Sequence, residues 1–244
     1  MTSFFNFTKK AFRFIKLKMP LFLLVPRSIY MNFHYLPFKQ AIKFPILVKK
    51  SHIIAAKGKI IIDAPVKFGM IKLGVFGGRM YPDNGIHWTQ WGGTIIFKGR
   101  CQIPNDSYII QGKDSKLIFG DDFLSSPSLR ILCFKHIEFG KCTRCGWDCL
   151  IMDSSFHPLY DMKKEKFKKA YGPIKIGDYN WFATKCKVMH SVTTPERCIF
   201  GMGSMVTRGG QYESYCVHGG SPIRVLSRDV MRIIGQDKIT SYAD

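Results

Sequence analysis

Residues 176–211 read IGDYNW FATKCK VMHSVT TPERCI FGMGSM VTRGGQ, which is six consecutive groups of six residues. Five of the six leading positions are apolar, and the residues between them are small, polar or charged; the leading positions are Ile176, Phe182, Val188, Thr194, Phe200 and Val206. A period of six fits neither an α-helix nor a simple alternating strand. It is typical of a hexapeptide β-helix, in which each short strand supplies one flat side of a stacked coil. The stretch therefore predicts an all-β solenoid with a parallel β-helix.

The same spacing occurs earlier in the chain, in shorter sets that are separated by loops. The leading positions of these sets are Phe97, Ile103, Ile109, Phe119, Ile131, Phe139, Cys145 and Ile151. Short β-branched segments begin near residue 51, so we assign residues 51–226 to the β-helix domain. His157 is the next position in register after Ile151. Residues 158–171, which carry five lysines, then interrupt the coil as an inserted loop.

The chain is strongly basic, with 37 Lys and Arg against 17 Asp and Glu and a formal charge of +20. Such an excess favours an anionic partner, which could be a phosphate-bearing ligand, an anionic lipid surface or a nucleic acid. The positive charge is concentrated in residues 1–50 and in the inserted loop. The sequence contains no RNA- or DNA-binding motif, and we therefore predict no nucleic-acid partner.

The two ends of the chain differ from the coil. Residues 1–50 hold ten Lys and Arg, no acidic residue and nine phenylalanines. Lys9, Arg13 and Lys16 share one face of a predicted helix, and this basic amphipathic pattern suits an anionic membrane surface contacted through residues 1–20. A cap over the open end of the solenoid is the alternative. At the other end, Ser227 as N-cap predicts a helix to Ile234, so residues 227–244 form a helix and tail.

The eight cysteines could serve as core residues or as metal ligands. Without the layout of a cleavable signal peptide, a reducing cytoplasmic location without disulfides is favoured. Cys142 and Cys145 form a C-x-x-C near Cys149, a spacing that zinc sites use. Cys145 also leads a hexad, so we favour buried core cysteines and predict no metal.

One aromatic cluster leaves two interpretations open. His87 lies beside Trp88 and Trp91. These rings could line a sugar site or could be simply buried.

Four segments carry a resemblance to a known family. They are MDSSFHP at residues 152–158, GPIKIGDYNW at 172–181, FGMGSMVTR at 200–208 and VHGGSPIR at 217–224. In these motifs the chain resembles the left-handed β-helix acyltransferases with hexapeptide repeats. Within that family it is most similar to the saccharide O-acetyltransferases of capsule, exopolysaccharide and lipopolysaccharide biosynthesis. The resemblance implies a left-handed coil, a homotrimer, acetyl-CoA as acyl donor in a groove between subunits, and a saccharide acceptor.

The resemblance also implies roles for individual residues. His157 would be the general base. From the sequence spacing and not from the resemblance, Asp153, four residues earlier, could orient its ring. A donor for the oxyanion is expected among the amides of Ala183 and Thr184. The acetyl-CoA arm would lie against Trp181, the Met202 amide and Thr207, and its phosphates would meet Arg208 and Arg224. Met202 stands where the family has a small residue, and Arg208 where it has a lysine.

These expectations predict an acetyl-CoA-dependent O-acetyltransferase in which a sugar hydroxyl, deprotonated by His157, attacks the thioester directly. Three alternatives remain open at this point. The acceptor could be the amine of an amino sugar, or it could be a serine. A protein of another class, either a non-catalytic solenoid or a protein that binds anionic surfaces, would keep the coil without its chemistry. A peripheral contact at the inner membrane face would suit a lipid-linked acceptor.

Overall fold

The computed structural model describes residues 26–75, 77–78 and 80–235. From residue 46 onward the chain winds into a three-sided coil, whose strands fall in rotation on three parallel sheets. Sheet I has nine strands: β1 (Ile46–Val48), β4 (Ile71–Val75), β7 (Cys101–Pro104), β10 (Phe123–Ser125), β13 (Arg144–Cys145), β18 (Trp181–Phe182), β21 (Ile199–Phe200), β23 (Val217–Gly219) and β24 (Arg224–Ser227).

The other two sides are built in the same way. Sheet II has seven strands: β2 (Ser51–Ala56), β5 (Ile86–Gln90), β8 (Ser107–Gln111), β11 (Arg130–Cys133), β14 (Leu150–Met152), β19 (Lys187–Val188) and β22 (Met205–Val206). Sheet III has six: β3 (Lys59–Ile62), β6 (Thr94–Phe97), β9 (Lys116–Phe119), β12 (His136–Phe139), β17 (Ile174–Ile176) and β20 (Val192–Thr194). The all-β solenoid predicted from the hexads is thereby confirmed.

Every leading hexad position named above is buried inside the coil. The parallel register places each one on its counterpart in the next coil, so that Phe182 lies over Phe200, and Val188 over Val206. Stacked rings follow, with centroids 5.2 Å apart for Phe97 and Phe119 and 4.7 Å apart for Phe182 and Phe200. A fully buried side chain of this size contributes about 1.5–3 kcal/mol. The interior columns therefore dominate the stability of the fold.

Thr194, the polar member of the series, is also buried. Its Oγ1 accepts a hydrogen bond from the Gly177 amide at 3.3 Å, which satisfies a hydroxyl that would otherwise be costly inside the coil. Cys145 lies in the interior column of sheet I, between Ser125 and Phe182. Its burial agrees with the core interpretation of this cysteine.

The corners of the coil require a residue in the left-handed region, and most of these residues are not glycine. Asp106, Asp122, Cys142, Tyr179 and Lys185, for example, have φ between 54° and 62°. Aspartate tolerates this conformation better than most residues. Gly140 serves a different need, because a Cβ there would meet the main chain of Gly177 at 2.5 Å. Close stacking of consecutive corners therefore excludes a side chain at that position.

The described part of the N-terminal segment covers one end of the coil. Residues 26–35 are helical (α1), and Phe38–Ala41 form a short second helix (α2). The Asn32 side-chain amide donates to the Ile46 carbonyl at 2.7 Å and its Oδ1 accepts from the Ile46 amide at 3.1 Å. Met31 and Leu36 are buried in the core. Capping is therefore one role of this segment, whereas the amphipathic helix predicted around residues 4–18 lies outside the described residues.

Two departures from the coil were predicted, and one prediction was wrong. The inserted loop exists and contains an antiparallel hairpin of β15 (Tyr160–Asp161) and β16 (Lys166–Phe167). The helix predicted from Ser227 to Ile234 does not form. Ser227 belongs to β24, which pairs antiparallel with β23, and Asp229 has φ 59°, which a helix cannot accommodate. Edge pairing on the last coil thus outweighs the local capping signal.

His218 makes the stability of the last coils depend on pH. Its imidazole is fully buried on Phe200, and its Nε2 accepts from the Glu213 amide at 3.1 Å. Burial lowers the pKa of His218. The unfolded chain, with a histidine pKa of about 6.5, takes up the proton first as pH falls. We expect the free energy of unfolding to decrease below about pH 6.5, and to decrease less in His218→Phe. Urea unfolding at several pH values measures this; equal slopes for both proteins would contradict it.

Candidate active site

His157 lies where the chain leaves the coil, at the corner between sheets II and III. Its imidazole is exposed, and within the described residues it has no hydrogen-bond partner. The main chain holds the turn instead: the His157 amide donates to the Ser155 carbonyl at 2.7 Å, and Phe156 adopts φ 61°. The Phe156 ring packs edge-on against Phe134 on the coil, with centroids 4.9 Å apart. The main chain and Phe156 thus position the imidazole, and the ring itself makes no hydrogen bond within the described residues.

Asp153 anchors the same turn from inside. Its carboxylate is fully buried and accepts three main-chain hydrogen bonds, each of 2.7 Å, from the amides of Phe134, Lys135 and His136. Every hydrogen bond described for this carboxylate goes to that neighbouring turn. The predicted contact with the His157 ring is therefore not among them. Asp153 influences His157 through the position of the loop.

The two amides proposed for the oxyanion differ in availability. Both lie at the corner between sheets I and II, but the Ala183 amide donates to the Phe200 carbonyl at 2.8 Å as part of the coil. The Thr184 amide has no intramolecular partner in the described chain. The Met202 amide, one coil further on at the same corner, is likewise without one within the described residues. Among the residues proposed for the site, Thr184 and Met202 thus have amides at this corner without a partner in the described chain.

Trp181 lies half-buried on the outer face of sheet I. The residue after it, Phe182, points inward, so strand alternation turns the indole outward. The Arg232 guanidinium lies over the ring, 4.5 Å from its centroid. This cation–π contact could not be predicted from the sequence, because the two residues are 51 positions apart. The indole thus lies on the outer face of sheet I with the Arg232 guanidinium over its ring.

The predicted phosphate-binding residues lie together. Thr207, Arg208 and Arg224 line an open pocket of about 530 Å³ at the C-terminal end of the coil. Arg228 and Glu213, which sequence analysis did not name, line it as well and form a bidentate ion pair of 3.0 and 3.1 Å. The pocket therefore keeps two arginines that are not paired with this carboxylate.

Tyr212 shapes the same pocket from behind. Its hydroxyl donates to the Thr207 carbonyl at 2.7 Å and accepts from the Thr207 amide at 2.9 Å. Burial raises the pKa of this phenol. The tyrosine holds the segment that carries Thr207 and Arg208.

The aromatic cluster near residue 88 belongs mainly to the fold. Trp88 is fully buried and its Nε1 donates to the Tyr35 hydroxyl at 2.9 Å. His87 is stacked between His52 and Tyr108, with centroids 4.6 and 4.1 Å away. The sugar-site alternative is therefore wrong for Trp88, and Trp91 alone of the two tryptophans is exposed.

Comparison with known proteins supports the motif-based assignment of the fold. No protein-family model matches the chain. The protein “Putative acetyltransferase SAR2635” of Staphylococcus aureus (strain MRSA252) is 38% identical over 113 residues, which cover 38% of this chain and 55% of that protein. The chain thus spans about half the length of this relative. An uncharacterized 24.8 kDa protein in the cps region of Klebsiella pneumoniae is 24% identical over 191 residues, covering 77% and 83% of the two chains.

Among solved structures, the polySia specific acetyltransferase NeuO superimposes with a TM-score of 0.51. The two chains are 17% identical, and the superposition covers 78% of this chain and 91% of NeuO. The chain has the left-handed β-helix fold of the hexapeptide-repeat acyltransferases. At this identity the likeness concerns the fold alone.

The hexapeptide-repeat fold separates the predicted site residues within one chain. His157 lies at the corner of sheets II and III, which in a three-sided coil is opposite sheet I. Trp181 lies on the face of sheet I, and Thr184 and Met202 lie at the corner of sheets I and II. One chain therefore does not bring His157 to Trp181.

A second histidine lies at the corner that carries His157. His190 follows β19, one coil after His157, and its Nδ1 is 3.1 Å from the Ser191 Oγ. It was not among the predicted site residues. The hexad alignment could have indicated it, because both histidines follow strands of sheet II.

Two substitutions distinguish the structural role of Asp153 from that of the exposed His157 by their effects on stability. Asp153→Asn places an amide nitrogen among three main-chain donors, and we expect a loss of about 2–4 kcal/mol in the free energy of unfolding. His157→Ala removes an exposed ring and should change stability by less than about 0.5 kcal/mol. Urea unfolding of both variants measures the difference. An Asp153→Asn variant as stable as the parent would contradict the anchoring role.

Proposed function

We propose that the protein is an acetyltransferase that moves an acetyl group from acetyl-CoA to a hydroxyl group of a cell-surface saccharide or its precursor. The observation that carries the proposal is the exposed imidazole of His157 on a turn that the buried Asp153 carboxylate anchors. A side chain held in this way, without a structural role for its ring, is available to move a proton. The relatives named as acetyltransferases and the four motifs quoted above agree with this chemistry.

The proposed reaction needs one base and one oxyanion donor. His157 takes the proton of the acceptor hydroxyl, because a neutral imidazole is a suitable base near pH 7. The alkoxide oxygen attacks the thioester carbonyl, and the negative charge of the tetrahedral intermediate is met by a main-chain amide, for which Thr184 is the candidate. When the intermediate collapses, the carbon–sulfur bond breaks and the proton on His157 passes to the thiolate of CoA.

The donor would lie along the corner of sheets I and II toward the C-terminal end. Trp181 and the Met202 amide would contact the pantetheine arm. Met202 is 74% exposed, so its flexible side chain can move aside for the arm. Arg208 and Arg224 would bind the phosphates, because a guanidinium forms strong charge-assisted hydrogen bonds with them.

The separation of His157 from Trp181 supports a symmetric oligomer. A homotrimer in which the His157 loop of one subunit faces the sheet I side of its neighbour would complete three equivalent sites. Cyclic symmetry allows this, because each interface then joins two different surfaces. The active site would therefore exist only in the assembly.

The proposed location is the cytoplasm, where the donor is available. All eight cysteines are free and seven of them are buried, which agrees with a reducing compartment. No helix of the described residues is long and apolar enough to cross a membrane. A peripheral membrane contact through residues 1–20 remains a proposal from the sequence.

Donor binding can be tested without knowledge of the acceptor. At about 100 times its dissociation constant, acetyl-CoA should stabilise the protein by about 2.7 kcal/mol, which raises the melting temperature by roughly 5–10 °C. In Arg208→Ala the dissociation constant should rise about tenfold, so the shift should fall by about half. Arg27→Ala, an exposed arginine on α1, is the matched control. No shift in the parent protein would remove the acetyltransferase proposal.

The shared site predicts complementation between two inactive variants. His157→Ala and Trp181→Ala should each release little CoA thiol when a mixture of oligosaccharides is the acceptor. When the two are mixed after reversible dissociation, about a quarter of the sites should regain both residues from different subunits. Thiol release measures this recovery. Size-exclusion chromatography with light scattering confirms the mixed trimers, and mixed trimers without activity would contradict a shared site.

A further inference from the structure

A recess that the predicted donor site does not use lies on the outer face of sheet I, in the earlier coils. It has a volume of about 360 Å³ and lies between the turn that carries Lys67 and Phe68 and the strand that carries Arg144. A second recess of about 290 Å³ shares Lys67 and Arg100 with it and adds Lys98. Together they form one extended groove, which we call the sheet I groove.

The sheet I groove is positively charged. Four cationic side chains line its larger part (Lys67, Lys72, Arg100 and Arg144), and Asp122 is the carboxylate there. Lys67 and Lys72 are exposed, and neither ammonium group takes part in an ion pair among the described residues. The field of these groups favours an anion in the groove.

Asp122 orients the two arginines of the groove. Its Oδ1 accepts from Arg100 Nε at 3.1 Å and also from Nη2, and its Oδ2 accepts from Arg144 Nη2 at 2.5 Å. Burial alone would raise the pKa of Asp122, but the hydrogen bonds and charges of the two guanidinium groups lower it. Arg144 is 7% exposed, so it is a fixed charge in the wall, while the Arg100 side chain is 75% exposed and is held at one edge by Asp122. The groove is thus a built arrangement in which one carboxylate orients a buried and an exposed guanidinium group.

The rest of the lining suits a sugar ring. Phe68 is 62% exposed and Leu124 is 37% exposed, and Gln102 lies in register between Lys72 and Leu124 on sheet I. Apolar side chains can cover the C–H face of a sugar, and an amide can bind its hydroxyl groups. A membrane surface, by contrast, is flat and would not enter a recess. A nucleic acid would need stacking platforms for successive bases, and of the two aromatic residues described in this lining, Phe68 is exposed whereas Phe123 is buried.

The groove leads to the proposed reaction centre. Arg144 is the direct register partner of Trp181 in the parallel ladder of sheet I, one coil away. The basic pocket with Arg208 lies in the opposite direction along the coil axis. Arg224 lies on β24 of sheet I and Arg208 follows β22 of sheet II, so donor and acceptor would approach Trp181 from opposite ends of the coil axis.

We propose that the sheet I groove binds an acidic oligosaccharide, in which carboxylate-bearing sugars contact Lys67, Lys72 and Arg100. That this chain is the acceptor rests on the proposed acetyltransferase function. The binding itself does not, because the groove and its charges are independent of His157. The two parts can therefore fail separately.

The test measures binding of a galacturonic acid oligomer to the full chain by isothermal titration calorimetry, without acetyl-CoA. A malto-oligosaccharide of equal length is the neutral probe and should not bind measurably. Lys67→Ala/Lys72→Ala should raise the dissociation constant of the acidic oligomer by about tenfold or more. Lys116→Ala/Lys175→Ala removes the same two charges from exposed positions of sheet III and should leave the constant unchanged.

The remaining outcomes either overturn the proposal or separate binding in the groove from the acetyltransferase function. No binding of the acidic oligomer would overturn the proposal. An equal loss in both double variants would show general charge attraction and would overturn it as well. Binding of inorganic phosphate or of phosphatidylglycerol vesicles at the groove, without the carboxylated oligomer, would also overturn it. If the oligomer binds in the groove while acetyl-CoA produces no thermal shift, the proposed binding site is supported and the proposed acetyltransferase function is contradicted.

Discussion

The fold depends on one constraint, the parallel register that stacks each coil on the next. Main-chain hydrogen bonds between coils fix the register, and it places Phe on Phe and Val on Val inside the coil. The interior columns are thus continuous, as in other solenoids whose units bury their apolar faces only against neighbours. A substitution in one column changes the packing in the neighbouring coils as well, whereas a substitution on an outer face leaves the column intact. The three outer faces can therefore carry different charges and aromatic rings.

The same constraint explains why several of the proposed site residues lie at the corners. At a corner the main chain turns with a residue of positive φ, and amide groups there can remain outside the ladder. Thr184 and Met202 are such positions, whereas Ala183 one residue away still donates to Phe200. A corner can also expand into a loop without disturbing the columns, provided that both ends of the loop are anchored. The Asp153 carboxylate provides that anchor beneath His157 by binding three amides of the preceding coil.

The hexads predicted the fold well because the six-residue period is local and each position has one environment. The period placed Thr194 and Cys145 at leading positions, and both are buried like the phenylalanines. Predictions that depended on partners were weaker: the sequence around Ser227 resembles a helix start, but the open edge of β23 binds it as a strand. Spacing alone could not show that the Asp153 oxygens are occupied, or that Trp88 is covered by Tyr35. His190 was missed because a corner histidine is visible only once the coils are aligned in register.

The geometry of a three-sided coil limits what one chain can do. Its faces point in three directions, so groups on sheet I and at the opposite corner cannot meet around a common substrate. A single coil can therefore offer a binding surface, but the proposed reaction, with its base, amide donor and anion pocket, would need a second copy to bring the opposite corner near. Sheet I is the face that can serve such a junction, because it carries Trp181, the register neighbour Arg144 and the basic groove in one line. The proposed assembly rests on the triangular section of the coil together with the placement of His157. In that assembly, residues on one subunit would set the specificity for the acceptor, and His157 of another subunit would take the proton.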